Sequence, residues 1–396
     1  MIPYGRQHLD DDDIEAVVSA LKSDWLTQGP TVPKFEQAMA SYCNANHAVA
    51  TNSATSALHL ACLALNVGLG DCVWTSPNSF VASANCALYC GADVDFVDID
   101  FSTGNMCMRA LAEKLEAAER DNTLPKVLIP VHFAGQSCDM AELAKLATRY
   151  QFRIIEDASH AVGARYNDKN VGSCEFSDIC IFSFHPVKII TTMEGGMALT
   201  NSEELHNQMA LQRSHGVSAD AALLTEPSHG PWYYQQHSLG FNYRMNDVEA
   251  ALGLSQLTKL PQFVEKRNQH AKRYHQLFSE MHELLADSQV EIAPLVVDEI
   301  SYSSYHLYVV RFIGIDDNQH RQVITFLREQ GIVGHVHYIP IYLQPYYQAL
   351  GFKKGYCPNA ETYYTQAVTL PLFPDLTPSQ ISFVADKVKE ARLLVA

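Results

Sequence analysis

Lys188 stands in Ser183-Phe184-His185-Pro186-Val187-Lys188-Ile189-Ile190, shortly ahead of Glu194-Gly195-Gly196, and no other lysine falls between Lys169 and Lys259. Exposed lysines keep polar company, so Phe184, Val187, Ile189 and Ile190 predict burial for this one. Burial disfavours the ammonium form and lowers the pKa. An uncharged lysine is the nucleophile that forms a Schiff base with a carbonyl. The alternative is a lysine whose stem packs in the core while its head reaches water. A second charged group lies one strand earlier, where Arg153-Ile154-Ile155 runs into Glu156-Asp157-Ala158-Ser159-His160. An apolar strand ending in carboxylates leaves charge that has to be used or paired. The period of two sends Glu156 and Asp157 to opposite sides.

Two further stretches suit a ligand. Asn52-Ser53-Ala54-Thr55-Ser56 lies between the predicted strand His47–Thr51 and a helical run through Leu58, Ala61, Cys62 and Leu65. A small-residue turn feeding a helix N-terminus can cradle a phosphate, although Ser and Thr there also serve simply as caps. Ser76-Pro77-Asn78-Ser79-Phe80 follows the predicted strand Cys72–Thr75. Ligands of open sheets sit at strand ends, so Phe80 is placed to stack on a flat ring; a core position is the commoner fate of a phenylalanine. Pyridoxal phosphate (PLP) asks four services of a protein: a lysine for its aldehyde, a carboxylate for its ring nitrogen, a phosphate cradle, and a flat apolar group against the ring. Lys188, Asp157, the 52–56 turn and Phe80 provide one candidate for each.

The elements that must position these residues alternate. Strands are predicted at Val94–Ile99, Val127–Val131, Phe152–Asp157 and Ile179–Phe184, with helices at Met108–Ala118 and Met140–Tyr150. Such alternation implies a largely parallel sheet covered on both faces. Earlier, Asp10-Asp11-Asp12-Asp13 opens a helix over Ile14–Leu21, where carboxylates favour the positive end of the dipole. A second helix is predicted over Pro33–Cys43. Gly68-Leu69-Gly70 follows a helix and precedes a strand, the reverse of a dinucleotide fingerprint, and reads as a turn. From about Ala251 the character changes. Helical periodicity covers Leu252–Leu285 with Pro261 interrupting it; then come a strand at Tyr305–Val310, a helix at Arg321–Gln330 and a strand at Ile332–Tyr338. The division expected is a large domain over 1–250 and a smaller α/β domain over 251–396 that closes over it.

Composition narrows the function. The net charge of -16 argues against a nucleic-acid or anionic-membrane surface. No apolar run is long enough to span a bilayer, and Met1-Ile2-Pro3-Tyr4-Gly5-Arg6 leads into no apolar signal region. Ten cysteines without a CxxC pair read as free thiols in a reducing cytoplasm. His335 and His337 share one face of the strand expected there, but no third ligand of suitable spacing is near, so no metal is expected. His215 reads as structural. Neither a G-x-S-x-G elbow nor a Walker loop is present.

Glu156-Asp157-Ala158-Ser159-His160, Ser183-Phe184-x-x-x-Lys188, Glu194-Gly195-Gly196, Gly240-Phe241-Asn242-Tyr243-Arg244-Met245 and Val336-His337-Tyr338 together resemble the DegT/StrS-type sugar-nucleotide aminotransferases, over nearly the whole chain. Ile2–Gln7, Ser23–Gly29, Pro358–Glu361 and Leu370–Pro374 look most like the branch that aminates a UDP-linked 4-keto-6-deoxy N-acetyl sugar for pseudaminic acid. The resemblance implies the aspartate-aminotransferase-like α/β fold (PLP fold type I), with a mainly parallel mixed sheet and a smaller C-terminal α/β lobe. It implies that Lys188 holds the cofactor and shuttles the proton, that Asp157 partners the pyridine nitrogen, and that His160 lies near the ring hydroxyl. Phe80 matches the stacked aromatic, and Ala54, Thr55 and Ser183 match phosphate contacts. Asn242 matches an asparagine that reaches the cofactor phosphate of the other subunit, hence a homodimer with shared active sites. Tyr4, Asp24, Trp25, Leu26 and Thr27, with His335, Val336, His337 and Tyr338, fall where the family lines its sugar-nucleotide pocket. The implied donor is L-glutamate, released as 2-oxoglutarate; the acceptor is a UDP-linked 4-keto sugar. One branch replaces the lysine with histidine and deoxygenates; Lys188 favours transamination. The competing readings are a 4-aminotransferase for another nucleotide sugar and a PLP-binding sensor without turnover.

Overall fold

The computed structural model describes residues 1–284 and 290–396. Twelve helices are present among them: α1 (Asp11–Leu21), α2 (Thr31–Cys43), α3 (Ala54–Ala64), α4 (Ala82–Tyr89), α5 (Met108–Asp121), α6 (Met140–Tyr150), α7 (Glu203–Arg213), α8 (Asp247–Leu284), α9 (Asp317–Glu329), α10 (Pro345–Ala349), α11 (Pro358–Tyr364) and α12 (Pro378–Val395). Seven strands form the main sheet: β1 (His47–Thr51), β2 (Cys72–Thr75), β3 (Asp93–Phe96), β4 (Val127–Ile129), β5 (Arg153–Asp157), β6 (Ile179–Ser183) and β7 (Gly196–Thr200), in the spatial order β1-β7-β6-β5-β4-β2-β3. Only β7 runs against the rest, pairing antiparallel with β1 and β6. The sheet is therefore mixed and mainly parallel, as expected. A second, antiparallel sheet joins β8 (Glu291–Pro294), β9 (Tyr308–Ile313) and β10 (Ala367–Leu370).

Side chains of the main strands alternate between two apolar layers. Val127 and Ile129 enter the layer with α3, α4 and α7, whereas Leu128 enters the one with α5 and α6. Strands covered on both faces carry nearly unbroken apolar runs, and β6 and β7 are buried at every position. The same alternation sends Ile155 toward α3 and Glu156 to the opposite layer. There Glu156 accepts from His132 Nε2 at 2.7 Å, while His132 Nδ1 accepts the Cys138 N–H at 3.1 Å. Glu156 is thus consumed by a structural pair, and Asp157 is left to the other side.

The aspartate run opens α1 as expected. Asp10 caps the helix in a reciprocal capping box with Asp13, and Lys259 of α8 forms ion pairs with both.

Several expectations need correction. The helix expected to break at Pro261 continues through it as α8 and begins at Asp247 rather than Leu252. Pro261 is exposed while Leu260, Phe263 and Val264 are buried, so the carbonyl that loses its N–H partner lies on the side where water can replace it. The expected end, Leu285, lies outside the described residues. The strand expected at Tyr305 starts at Tyr308, because Tyr305 has φ 46°. Ile332–Tyr338 is no regular strand. It has only isolated bridges, Ile2 to Ile332 and His335 to Thr369, since the N-terminal segment passes beside it instead of a full ladder. Finally, β7 was not anticipated; Met197-Ala198-Leu199 between glycines and Asn201-Ser202 is a short apolar run that carries the signal. Strands β3, β4 and β6 also end one to three residues earlier than expected, where the chain leaves the sheet.

The second sheet packs with α9, α12 and the C-terminal half of α8 around its own core. Arg267 of α8 is 1% exposed and lies within hydrogen-bond distance of the carbonyls of Tyr305, His306 and Leu372, at 3.1, 3.3 and 2.9 Å. Leu372 N–H in turn bonds Tyr4 O at 3.0 Å, so one buried cation ties the 305–306 and 372 segments to α8, and Leu372 joins them to Tyr4 of the cavity described below. Arg267→Ala should lower unfolding stability by about 3–5 kcal/mol, because it leaves buried carbonyls unpartnered. Urea denaturation checks this.

Candidate active site

The chain leaves β2, β5 and β6 at the same edge of the sheet, and a cavity of about 450 Å³ opens there. The polar ends of parallel strands meet at this edge, as in other open α/β sheets. Lys188 and Asp157 both line it. Lys188 sits five residues beyond β6, in a turn where its N–H bonds His185 O at 2.9 Å, and the buried Ile189 and Ile190 that follow anchor that turn. It is half-buried. Burial pulls its pKa down to about 8, against the Asp157 carboxylate, which pulls the other way. Asp157 is 4% exposed. It forms no direct ion pair with Lys188; its oxygens accept from Ser83 Oγ at 2.6 Å and from Ser159 N–H at 3.1 Å. An amine and an acid therefore address one space without neutralising each other.

The N-terminus of α3 points into the same cavity. Ser53 caps the helix by accepting from Ser56 N–H at 3.2 Å, and Ala57 N–H bonds Ser53 O at 3.1 Å. Of the first four N–H groups, those of Ala54 and Thr55 remain without a partner among the described residues, and both residues line the cavity. Ser183 lines it too, paired in register with Gly196. A Cβ on Gly196 would collide with the Ser53–Ala54 backbone, so glycine is what lets β7 approach the cradle. The donor set of two free amides at a helix start beside a hydroxyl fits a phosphate. Phe80 is 62% exposed and lines the cavity, a bare aromatic face where a ring could lie. These residues fit PLP: amine, acid, cradle and apolar face converge, each from a different element.

On the far wall, His160 Nε2 lies 3.2 Å from the Tyr338 hydroxyl. Burial, and then the nearby Lys188 and His337, hold the His160 pKa well below the ordinary histidine value, so its ring is neutral near pH 7. His337 and His335 stack at 4.4 Å, with Tyr4 at 5.1 Å from the first and 5.3 Å from the second. His337 is fixed by a 2.8 Å bond between Nδ1 and Thr369 Oγ1. Among the described residues no group of His, Cys, Asp and Glu could hold a metal.

Some residues named from the sequence are not brought to this cavity. Val336 is half-buried beside it; its carbonyl takes the Nδ1–H of His335 at 3.1 Å. Trp25 and Leu26 are more than half exposed, in a surface segment, Asp24–Thr27, held against the start of α8 by a 3.0 Å bond from Asp247 N–H to Leu26 O. Asn242 is exposed, in a loop where its carbonyl lies 3.5 Å from Asn52 Nδ2. Sequence reasoning missed Ser79, Ser83, His185 and Glu194, all of which line the cavity. Ser83 was legible in principle, standing three residues after Phe80 at a helix start.

The model of the DegT/DnrJ/EryC1/StrS aminotransferase family matches residues 7–389. The spore coat polysaccharide biosynthesis protein SpsC of Bacillus subtilis is 38% identical over 395 residues, spanning 98% of this chain and 96% of its own. A UDP-4-amino-4,6-dideoxy-N-acetyl-beta-L-altrosamine transaminase of Campylobacter jejuni is 36% identical over 386 residues, with the same coverage of 98% and 96%. Among solved structures, Helicobacter pylori PseC, an aminotransferase involved in the biosynthesis of pseudoaminic acid, superposes with a TM-score of 0.88 at 32% identity, over 99% of each chain. Spr1654 of Streptococcus pneumoniae, assigned as a sugar aminotransferase and solved in its PMP form, gives 0.90 at 29% identity over 100% of each chain. That protein is also known in a PLP form.

Proposed function

The chain belongs to the DegT/DnrJ/EryC1/StrS aminotransferase family, and from that premise we propose that it moves the amino group of L-glutamate to C4 of a UDP-linked 4-keto-6-deoxy-N-acetyl-hexosamine of the L-altrose type, in pseudaminic acid biosynthesis. It is a sugar aminotransferase with PLP as its cofactor and the aspartate-aminotransferase-like fold. The observation that carries the transamination is the cavity itself, where an amine with a pKa lowered to about 8 faces an acid that does not neutralise it.

When bound, PLP supplies an aldehyde for the amine and a ring that accepts the electron pair left by a departing proton. Lys188 is the residue that holds it. Once displaced by glutamate, uncharged Lys188 would take the proton from the donor's α-carbon and pass it to the cofactor's C4′ carbon, and in the second half-reaction it would carry a proton from that carbon to C4 of the sugar. A base works best with its pKa near the working pH, and burial brings Lys188 there. Asp157 would pair with the ring nitrogen and favour its protonated form. Ala54 and Thr55 N–H groups with Ser183 would hold the phosphate, Phe80 would cover one ring face, and neutral His160 would stand near the ring hydroxyl. Tyr4, His335, His337 and Tyr338 line the sugar side. Asn242 of one subunit serves the phosphate site of the other in a cytoplasmic homodimer, and Asp24–Thr27 belongs to the sugar-nucleotide pocket of that assembly.

A panel of nucleotide-linked 4-keto sugars offered with L-glutamate tests the substrate. The expected result is amination of the L-altrose-configured UDP sugar in preference to its epimers. Good turnover of another sugar with none of this one would displace the altrose reading in favour of a different 4-keto nucleotide sugar.

A further inference from the structure

Asp157 takes a hydrogen bond from a hydroxyl that plays no part in the mechanism above. Ser83 Oγ donates to Asp157 Oδ2 at 2.6 Å, and Ser79 Oγ lies 2.7 Å from Ser83 Oγ. An ionised carboxylate only accepts. The single Ser83 proton therefore goes to Asp157, and the bond between the serines runs from Ser79 to Ser83. Ser159 N–H holds the other carboxylate oxygen at 3.1 Å. Ser83 and Ser79 are 1% and 5% exposed, and both line the cavity. Ser83 sits in the first turn of α4, three residues beyond Phe80, so one short rigid piece carries both the open aromatic face and the hydroxyl on the acid.

We propose that Ser83, backed by Ser79, is a positioning residue that holds the Asp157 carboxylate turned toward the ring nitrogen of PLP. This rests on the reading of Asp157 as the partner of that nitrogen. Hydroxyl-to-carboxylate bonds near 2.6 Å are among the strong ones. Without the Ser83 hydroxyl, a buried carboxylate loses one of its two protein donors. It then turns more freely, and the proton it shares with the ring nitrogen is held less firmly.

The test uses the holoenzyme reconstituted with PLP carrying ¹⁵N in its ring, and follows the ring-nitrogen chemical shift against pH. In the wild type the nitrogen stays protonated through the neutral range. In Ser83→Ala the midpoint of its deprotonation should move down by about one pH unit, a tenfold change in proton affinity, and Ser83→Thr should restore it. Ser79→Ala should move it less, in the same direction. In an Asp157→Asn background, Ser83→Ala should add nothing, an outcome that a general loosening of the fold would not give. A Ser83→Ala midpoint equal to the wild type overturns the proposal, and should that variant not fold, an unmoved Ser79→Ala midpoint does so. Wild-type protein that takes up no PLP would instead overturn the functional reading along with it.

Discussion

Lys188→Ala is expected to abolish transamination, by at least about 10⁴-fold, and to remove the visible absorbance of cofactor joined to the protein. The size follows from losing both the amine that captures the aldehyde and the base that moves the proton, since a positioned base alone contributes about 10²–10⁴-fold. Stopped-flow absorbance with PLP and then with L-glutamate checks it, and turnover retained in the variant would sink the assignment. The wild type carries a pH signature of the same amine. With its pKa near 8, about one Lys188 in ten is uncharged at pH 7, against roughly one in a few thousand for an ordinary lysine. The folded pKa lies below the usual one, so the reactive fraction grows as pH rises toward 8 and then saturates. PLP capture by the apoprotein should quicken about tenfold per pH unit below that point and flatten above it.

Asp157→Asn is expected to slow proton transfer in both half-reactions by about 10²–10³-fold, the range for removing one preorganised charge contact from a water-poor site. Cofactor should still be captured, because Lys188 is untouched and the phosphate cradle is built from α3 and β6. Single-turnover kinetics with glutamate separate capture from proton transfer, and a normal proton-transfer rate would remove Asp157 from the mechanism. The substitution is nearly isosteric, but the Ser83 hydroxyl then meets an amide in place of a charge. Some of the loss thus runs through the serine pair, and the double variant apportions it.

The main sheet was legible because its strands are short apolar runs separated by amphipathic helices, a pattern that survives in a single sequence. Helix α6 was bounded correctly, Met140–Tyr150, because its apolar face is sharp and an aspartate caps it. Strand β7 escaped notice because the Gly195-Gly196 pair at its start masked a short run. The stretch 332–338 was misjudged because alternating residue types indicate an extended chain but say nothing of whether a neighbour pairs with it. Leu252–Leu285 was broken at Pro261 on propensity, which the packing of Leu260, Phe263 and Val264 overrode.

The sequence alone determined the chemistry available: an amine among apolar neighbours, an acid at a strand end, small residues at a helix start, and an aromatic after a strand. Those are properties of residue type and local period, which neighbours in the chain set. Tertiary structure decided which of them meet. It spent Glu156 on His132 and left Asp157 to the cavity, because adjacent strand residues face opposite layers. It brought Tyr4 beside His335 and His337 from the other end of the chain, set Ser83 against the acid, and kept Asp24–Thr27 and Asn242 on the surface of the single chain. Such meetings depend on how distant segments pack, and no local pattern encodes a distance across a cavity.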